Sequence, residues 1–174
     1  MKILYELSVG YLTSVCKRYI RDDDDVKDLL QESYLKIFDK IGRFKYMGEG
    51  SLIAWMKKIV INDVLKTLSS KKRAFSLEAL GKRDDCDDIP DEVSDPPLES
   101  VPIEELLRMI RSLPDGYRTV FNLFVFEEKS HKEIASFLGI KENSSASQLF
   151  HAKAMLAKLV QDYYKTRSDG YKMG

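Results

Sequence analysis

The chain has 174 residues, 44% of them apolar, and its 28 basic side chains balance 28 acidic ones. That length fits one ordinary domain or two small ones, and no apolar run reaches the roughly 20 residues that a membrane helix needs. Two cysteines, Cys16 and Cys86, make no disulfide framework, and His131 and His151 do not stand at metal-ligand spacing with them, which argues against a disulfide scaffold or a metal centre. The start Met1-Lys2-Ile3-Leu4-Tyr5-Glu6 carries an early acid in place of a signal-peptide core, so a cytoplasmic location is expected. The zero net charge conceals a segregation: residues 1–73 carry +5, residues 74–102 carry −7 and residues 103–174 carry +2. Residues 40–73 alone hold nine basic and two acidic side chains, which points to a polyanion as their partner.

In chain order, Leu4, Leu7, Tyr11, Leu12, Val15 and Tyr19 recur at three- and four-residue steps and predict an amphipathic helix over 4–20 with that face buried, Cys16 included. The run Asp22-Asp23-Asp24-Asp25 opens the next helix, where one carboxylate accepts from free N–H groups and the others face the positive end of the dipole. Its apolar positions are Val26, Leu29, Leu30, Tyr34, Ile37 and Phe38. Gly42 to Gly50 reads as a loop, with Ser51 as the cap of a helix over 52–68. That helix buries Leu52, Trp55, Ile59, Val64, Leu65 and Leu68 and leaves Lys57, Lys58 and Lys66 wet.

Residues 74–102 are acidic, hold four of the five prolines and have no sustained period, the pattern of a flexible linker. Helical periodicity resumes from Ile103 as four helices over 103–112, 115–127, 130–138 and 144–165. The expectation is an all-α protein of two small helical domains, residues 1–73 and 103–167, joined by the acidic linker and followed by a tail at 168–174.

Within the second domain, Ser130-His131-Lys132-Glu133 has capping-box spacing, and Gly139 can take the left-handed conformation that ends a short helix. A turn over Gly139-Ile140-Lys141-Glu142 then leads to a second helix capped by Asn143 or Ser144. This is the layout of a helix-turn-helix, whose second helix enters the major groove. Its side chains Ser144, Ser147, Gln148 and His151 are placed to meet base edges and Lys153 to meet phosphate. A purely structural helical hairpin would share the pattern.

Both halves, in this order, resemble the extracytoplasmic-function sigma factors of the sigma-70 family, Bacteroidetes-type members in particular. Asp28-Leu29-Leu30-Gln31-Glu32 resembles the family's polymerase-binding helix, with Asp28, Gln31 and Glu32 on one helical face. The resemblance implies that Asp28, Leu29, Gln31 and Glu32 meet the coiled coil of the largest polymerase subunit. The stretch from Trp55 to Asp63, ending in Lys71-Lys72-Arg73, looks like the element that melts and reads the minus-ten region. There Asn62 stands at the pocket for an extruded base, where an amide offers both a donor and an acceptor. Trp55 is offered as a stacking surface, although a lone Trp on an apolar face is more often core. Lys57, Lys58, Lys66, Lys71, Lys72 and Arg73 would hold phosphates.

Leu113-Pro114, Tyr117-Arg118, Glu133-Ile134-Ala135 and Leu138-Gly139-Ile140 resemble the domain that reads the minus-thirty-five element. Asn143, Ser144, Gln148 and His151 depart from the glycine, threonine and arginines common there. The resemblance implies core RNA polymerase and promoter DNA as partners, with a membrane-anchored anti-sigma protein common among its members, and an acidic linker crossing the polymerase near the RNA exit path. No cofactor, small-molecule substrate or catalytic residue is expected: the chain shows no nucleophile with a base and no phosphate-binding glycine loop. The rival reading is an autonomous helix-turn-helix regulator that never touches polymerase. It leaves the Asp28, Gln31, Glu32 face without a purpose.

Overall fold

The computed structural model describes residues 1–70 and 101–170, with side chains to residue 68 in the first stretch and residue 167 in the second. The linker assigned to 74–102 therefore lies, but for its last two residues, outside the described residues, as do Lys71, Lys72, Arg73, Cys86 and the end of the tail. The chain divides into two compact units, Met1–Lys72 and Arg73–Gly174. Among the described residues every regular element is helical.

The first unit packs three helices against one another: α1, Lys2–Lys17; α2, Asp23–Lys40; and α3, Ser51–Ser70. Asp22 caps α2, its Oδ1 accepting from the backbone N–H of Asp24 and Asp25 at 2.9 Å each. Those two bonds hold its carboxyl below the usual carboxylate range. Such a contribution is present above the ordinary carboxylate pKa and is lost as pH falls through the lowered one. A short 3₁₀ turn, Ile41–Arg43, ends α2. Ser51 differs from the expected cap: its hydroxyl donates to the Gly48 carbonyl at 2.6 Å and accepts from Met47 N–H at 3.2 Å. It closes the preceding turn, where Gly48 and Gly50 have φ of 109° and 78°, values that a residue without Cβ takes at little cost.

The buried face of α1 is rotated from the one that periodicity predicts. Leu12, Val15 and Tyr19 are buried as expected, and Cys16 with them, whereas Leu7 and Tyr11 are exposed and Ser8 takes the inward place. Ser8 is buried because it is bonded: its hydroxyl donates to the Leu4 carbonyl at 2.6 Å and lies 2.8 Å from the Tyr34 hydroxyl of α2. Hydropathy counts a serine as polar, but a satisfied hydroxyl is cheap to bury. Burial pushes the Tyr34 phenol up, which keeps it a donor. The Cys16 thiol is pushed up to about 12, first by burial and then by the negative charge of Asp63, so it stays an unreactive thiol at neutral pH. On α3 the inward residues are Met56, Val60, Ile61, Val64, Leu65 and Leu68, while Trp55 and Ile59 are half-buried. The Trp55 ring leans on Phe44 at 5.3 Å between centroids.

The second unit has four helices: α4, Ile103–Ser112; α5, Asp115–Val125; α6, His131–Leu138; and α7, Glu142–Gly170. The long α7 runs past the other three and packs on each. Its distal half joins α4 around Val101, Met109 and Val160; it packs on α5 and α6 as well, where Val120, Leu123, Ile134 and its own Leu149 are buried. The capping box at Ser130 forms in full, and Gly139 ends α6 at φ 67° with its N–H on the Ala135 carbonyl. The third expectation fails at Asn143 and Ser144. Neither caps α7, because the helix already starts at Glu142.

Candidate polymerase and nucleic-acid interfaces

On α2, a residue every 100° separates an inner from an outer face. Asp28, Gln31 and Glu32 fall on the outer one and are exposed. Leu29 does not join them: at 6% exposure it sits in the core of the unit. A residue that the sequence reading left out completes the outer face. Leu35 is 71% exposed, seven residues on from Asp28 and three from Glu32, so an apolar side chain stands beside two acids and an amide. Its signal was available as an apolar residue off the period of Leu30, Tyr34 and Ile37. Neither the Asp28 nor the Glu32 carboxylate enters an ion pair among the described residues, which leaves both for an external cation.

On α3, Lys58, Asn62 and Lys66 are exposed at four-residue steps and form one stripe. Lys57 lies about 140° around the helix from Asn62 and is half-buried, off that stripe. Trp55 falls near the Asn62 meridian about two turns earlier. That places the two about 10 Å apart along the helix axis, and the half-buried Trp55 ring is held against Phe44. One residue past Asn62, the Asp63 carboxylate accepts from Ser33 Oγ at 2.8 Å and from Lys36 Nζ at 2.7 Å, both on α2.

On α7, the side chains expected to face bases part company. Ser147 and Lys153 are exposed and Ser144 is half-exposed. Gln148 turns inward at 5% exposure. His151 stacks on Tyr117 of α5 with 5.6 Å between centroids. Beneath them Ser145 Oγ lies 3.0 Å from His131 Nδ1, and the His131 ring stacks on Phe124 at 4.9 Å. The outward face of α7 is therefore Asn143, Ala146, Ser147, Phe150 and Lys153. Phe150 was missed because an aromatic within a helix-turn-helix reads as core; it is 47% exposed.

The inward turn of Gln148 has a measurable result. Its Oε1 is buried with no hydrogen-bond partner among the described residues, and an unpaired buried acceptor costs about 1–3 kcal/mol. Gln148→Met, close in shape and without that acceptor, is expected to raise the unfolding midpoint of the second unit and leave duplex binding unchanged. A loss of DNA affinity with no gain in stability would return Gln148 to the base-reading set.

The family described as Sigma-70 region 2 matches residues 4–74, and that described as Sigma-70, region 4 matches residues 103–156. Together they take in most of the chain. The chain belongs to the sigma-70 family. Among curated relatives it is similar to the RNA polymerase sigma-H factor of Pseudomonas aeruginosa, 24% identical over 83% of this chain and 77% of that one. It is similar also to the extracytoplasmic-function RNA polymerase sigma factor SigW of Bacillus subtilis, 25% identical over 85% of this chain and 82% of that one. Among solved structures it resembles in fold the sigma factor RpoE crystallised with the anti-sigma factor NepR from Bartonella quintana. That likeness has a TM-score of 0.50 at 18% identity and covers 92% of this chain and 96% of that one.

As a sigma factor, the protein binds core RNA polymerase and directs promoter-specific initiation of transcription, with the helix-turn-helix of α6 and α7 in region 4. The region 2 match removes the reading of a free-standing regulator. Sigma factors contribute binding energy rather than chemistry, so α2, α3 and α7 have to be understood as surfaces.

Proposed function

We propose that the three outward faces divide the work of initiation. The face of α2 built from Asp28, Gln31, Glu32 and Leu35 docks on a basic surface of the polymerase, the coiled coil of its largest subunit. The stripe Lys58, Asn62 and Lys66 takes the unpaired minus-ten strand: the lysines neutralise phosphates and the Asn62 amide hydrogen-bonds to the edge of an extruded base. Lys71, Lys72 and Arg73 are assigned to phosphates as well, on their charge alone. The strip Asn143, Ala146, Ser147, Phe150 and Lys153 enters the duplex major groove at the minus-thirty-five element, where the Phe150 ring suits a thymine methyl group and Ser147 a base edge.

The observation that supports this division most directly is that α2 and α3 each keep an exposed polar stripe that the core of the unit does not use. The acidic linker is assigned to cross the polymerase surface rather than DNA, because its charge would repel phosphate. An anti-sigma partner belongs to the reading as well, since the RpoE chain of similar fold was captured with one. The assignment to the Bacteroidetes type rests on sequence resemblance alone. Work in the cytoplasm, without catalysis of its own, is part of the same reading, and membership of the sigma-70 family supports it. Among the described residues no helix is long and apolar enough to cross a membrane.

The direct test is reconstitution. Bacterial core polymerase with the full chain is expected to initiate at discrete sites on fragmented genomic DNA, and core alone is not. Site-specific initiation that survives Asn62→Ala together with Phe150→Ala, with unchanged start-site preference, would refute the assignment of the two DNA-reading faces.

A further inference from the structure

The α3 stripe reads DNA only if the helix is held at the right rotation, and its own core does not settle that rotation well. The inward residues Met56, Val60, Ile61, Val64, Leu65 and Leu68 are all aliphatic or thioether, and apolar burial is non-directional. A turn of α3 by about 20° changes the transfer energy of such a surface little, leaving only close packing to resist it, and moves a side-chain tip lying 5–6 Å from the axis by about 2 Å. That is enough to break the hydrogen bonds of a base to an amide.

A directional contact stands one residue from Asn62. Asp63 Oδ1 accepts from Lys36 Nζ at 2.7 Å and Oδ2 accepts from Ser33 Oγ at 2.8 Å. The two donors are three apart on α2, so both oxygens of one carboxylate are fixed along a single turn of a second helix. The Asp63 side chain is 12% exposed against 42% for Lys36, and Ser33 is buried. This is a shielded clasp rather than a solvated surface pair, and charge-assisted bonds in such surroundings are the stronger kind. Ser33 and Lys36 follow Glu32 at one and four residues, on the same helix that carries the polymerase-docking face.

We propose that Asp63 is a positioning residue for minus-ten recognition: by clasping Ser33 and Lys36 it fixes the rotation of α3 on α2 and so aims the Asn62 amide relative to bound polymerase. This rests on the reading of Asn62 given above. Asp63 itself faces α2 and touches no DNA.

The test uses holoenzyme assembled from core polymerase and the full chain. Selection from a random-sequence promoter library first defines the preferred base at each minus-ten position for wild type, and Asn62→Ala identifies the position at which preference is lost. At that position Asp63→Ala is expected to lower discrimination about tenfold, with core affinity within about twofold of wild type. The double variant Asn62→Ala, Asp63→Ala should discriminate no worse than Asn62→Ala alone, because Asp63 acts through Asn62. A merely structural role would instead lower the unfolding midpoint equally in both backgrounds and leave base preference alone. The exchange Lys36→Asp with Asp63→Lys should restore most of the discrimination. Should Asp63→Ala fail to fold, Lys36→Met removes one arm of the clasp from a half-exposed site and should reproduce the loss in part. Wild-type discrimination in a folded Asp63→Ala, with Asn62→Ala still defective, overturns the clasp and spares the Asn62 reading. No effect of Asn62→Ala at any position overturns both.

Discussion

Reversing two charges on α2, Asp28→Lys with Glu32→Lys, is expected to weaken binding of core RNA polymerase by about a hundredfold or more, the largest effect of any change at the surface. The size follows from what the two carboxylates do at present. Both are exposed on one face of α2, and neither enters an ion pair among the described residues. Removing them leaves nothing unsatisfied inside the unit, whereas placing two lysines against a basic partner sets like charges together, which costs several kcal/mol. The positions lie beyond the first turn of α2, so the helix dipole contributes little to the fold of the variant. Titration of fluorescently labelled protein with core should show the loss at low salt and a smaller ratio at high salt, as screening weakens both attraction and repulsion. Leu35→Lys, with one new charge of the partner's sign and a lost apolar contact, should fall between wild type and the double reversal. If the double reversal binds core within about twofold of wild type at low salt, the docking face lies elsewhere.

How far the sequence alone reached can be judged at particular residues. The helices of both units stood out because their apolar periods are long, and the turn at Ser130 to Gly139 because its chemistry is local: a capping box and a left-handed glycine need only a few neighbours. The faces were harder. Leu7 and Tyr11 recur at the same spacing as the buried residues of α1 yet point to solvent, and Ser8 lies inside because Leu4 and Tyr34 bond it. Periodicity shows that a face exists; which residues fill it depends on what the neighbouring helices offer.

The same rule sorts the candidate sites. Asp28, Gln31 and Glu32 were readable because their spacing makes a stripe, whereas Leu29 was carried along by adjacency and Lys57 by composition, and helix geometry places both off the stripe. On α7 Gln148 turns inward, His151 is half-buried against Tyr117, and Phe150 turns outward. There hydropathy points the wrong way, as it does wherever a surface is made to bind something other than water. The Asp63 clasp could not be read at all, since it joins residues 30 and 27 positions apart.

The largest effect in the interior is expected at Arg118, an arginine with only 2% of its surface exposed. Its Nη1 donates to the Arg111 carbonyl at 3.0 Å and the Leu113 carbonyl at 3.1 Å, and its Nη2 to Asp115 Oδ1 at 2.6 Å. The two carbonyls belong to the end of α4, where helix groups lack partners, and the Asp115 carboxylate opens α5. One guanidinium thus joins the two helices that flank Pro114. Arg118→Met fills much of the volume but removes those bonds from two carbonyls and from the Asp115 carboxylate, a loss of about 3 kcal/mol. The lower end of the usual range applies because Asp115 is partly exposed and regains water. Lysine is no remedy, as a single ammonium cannot span the three acceptors in the plane of a guanidinium. Trp55, the chain's one tryptophan, reports only on the first unit, while circular dichroism follows the helices of both. In urea the helical signal of Arg118→Met should therefore develop an early phase, displaced from wild type by more than about 1 M, with the Trp55 midpoint unmoved. Duplex binding by α7 should fail over the same early phase, because α5 supports the helix-turn-helix. A helical transition coincident with wild type would show that the junction between α4 and α5 holds without the arginine.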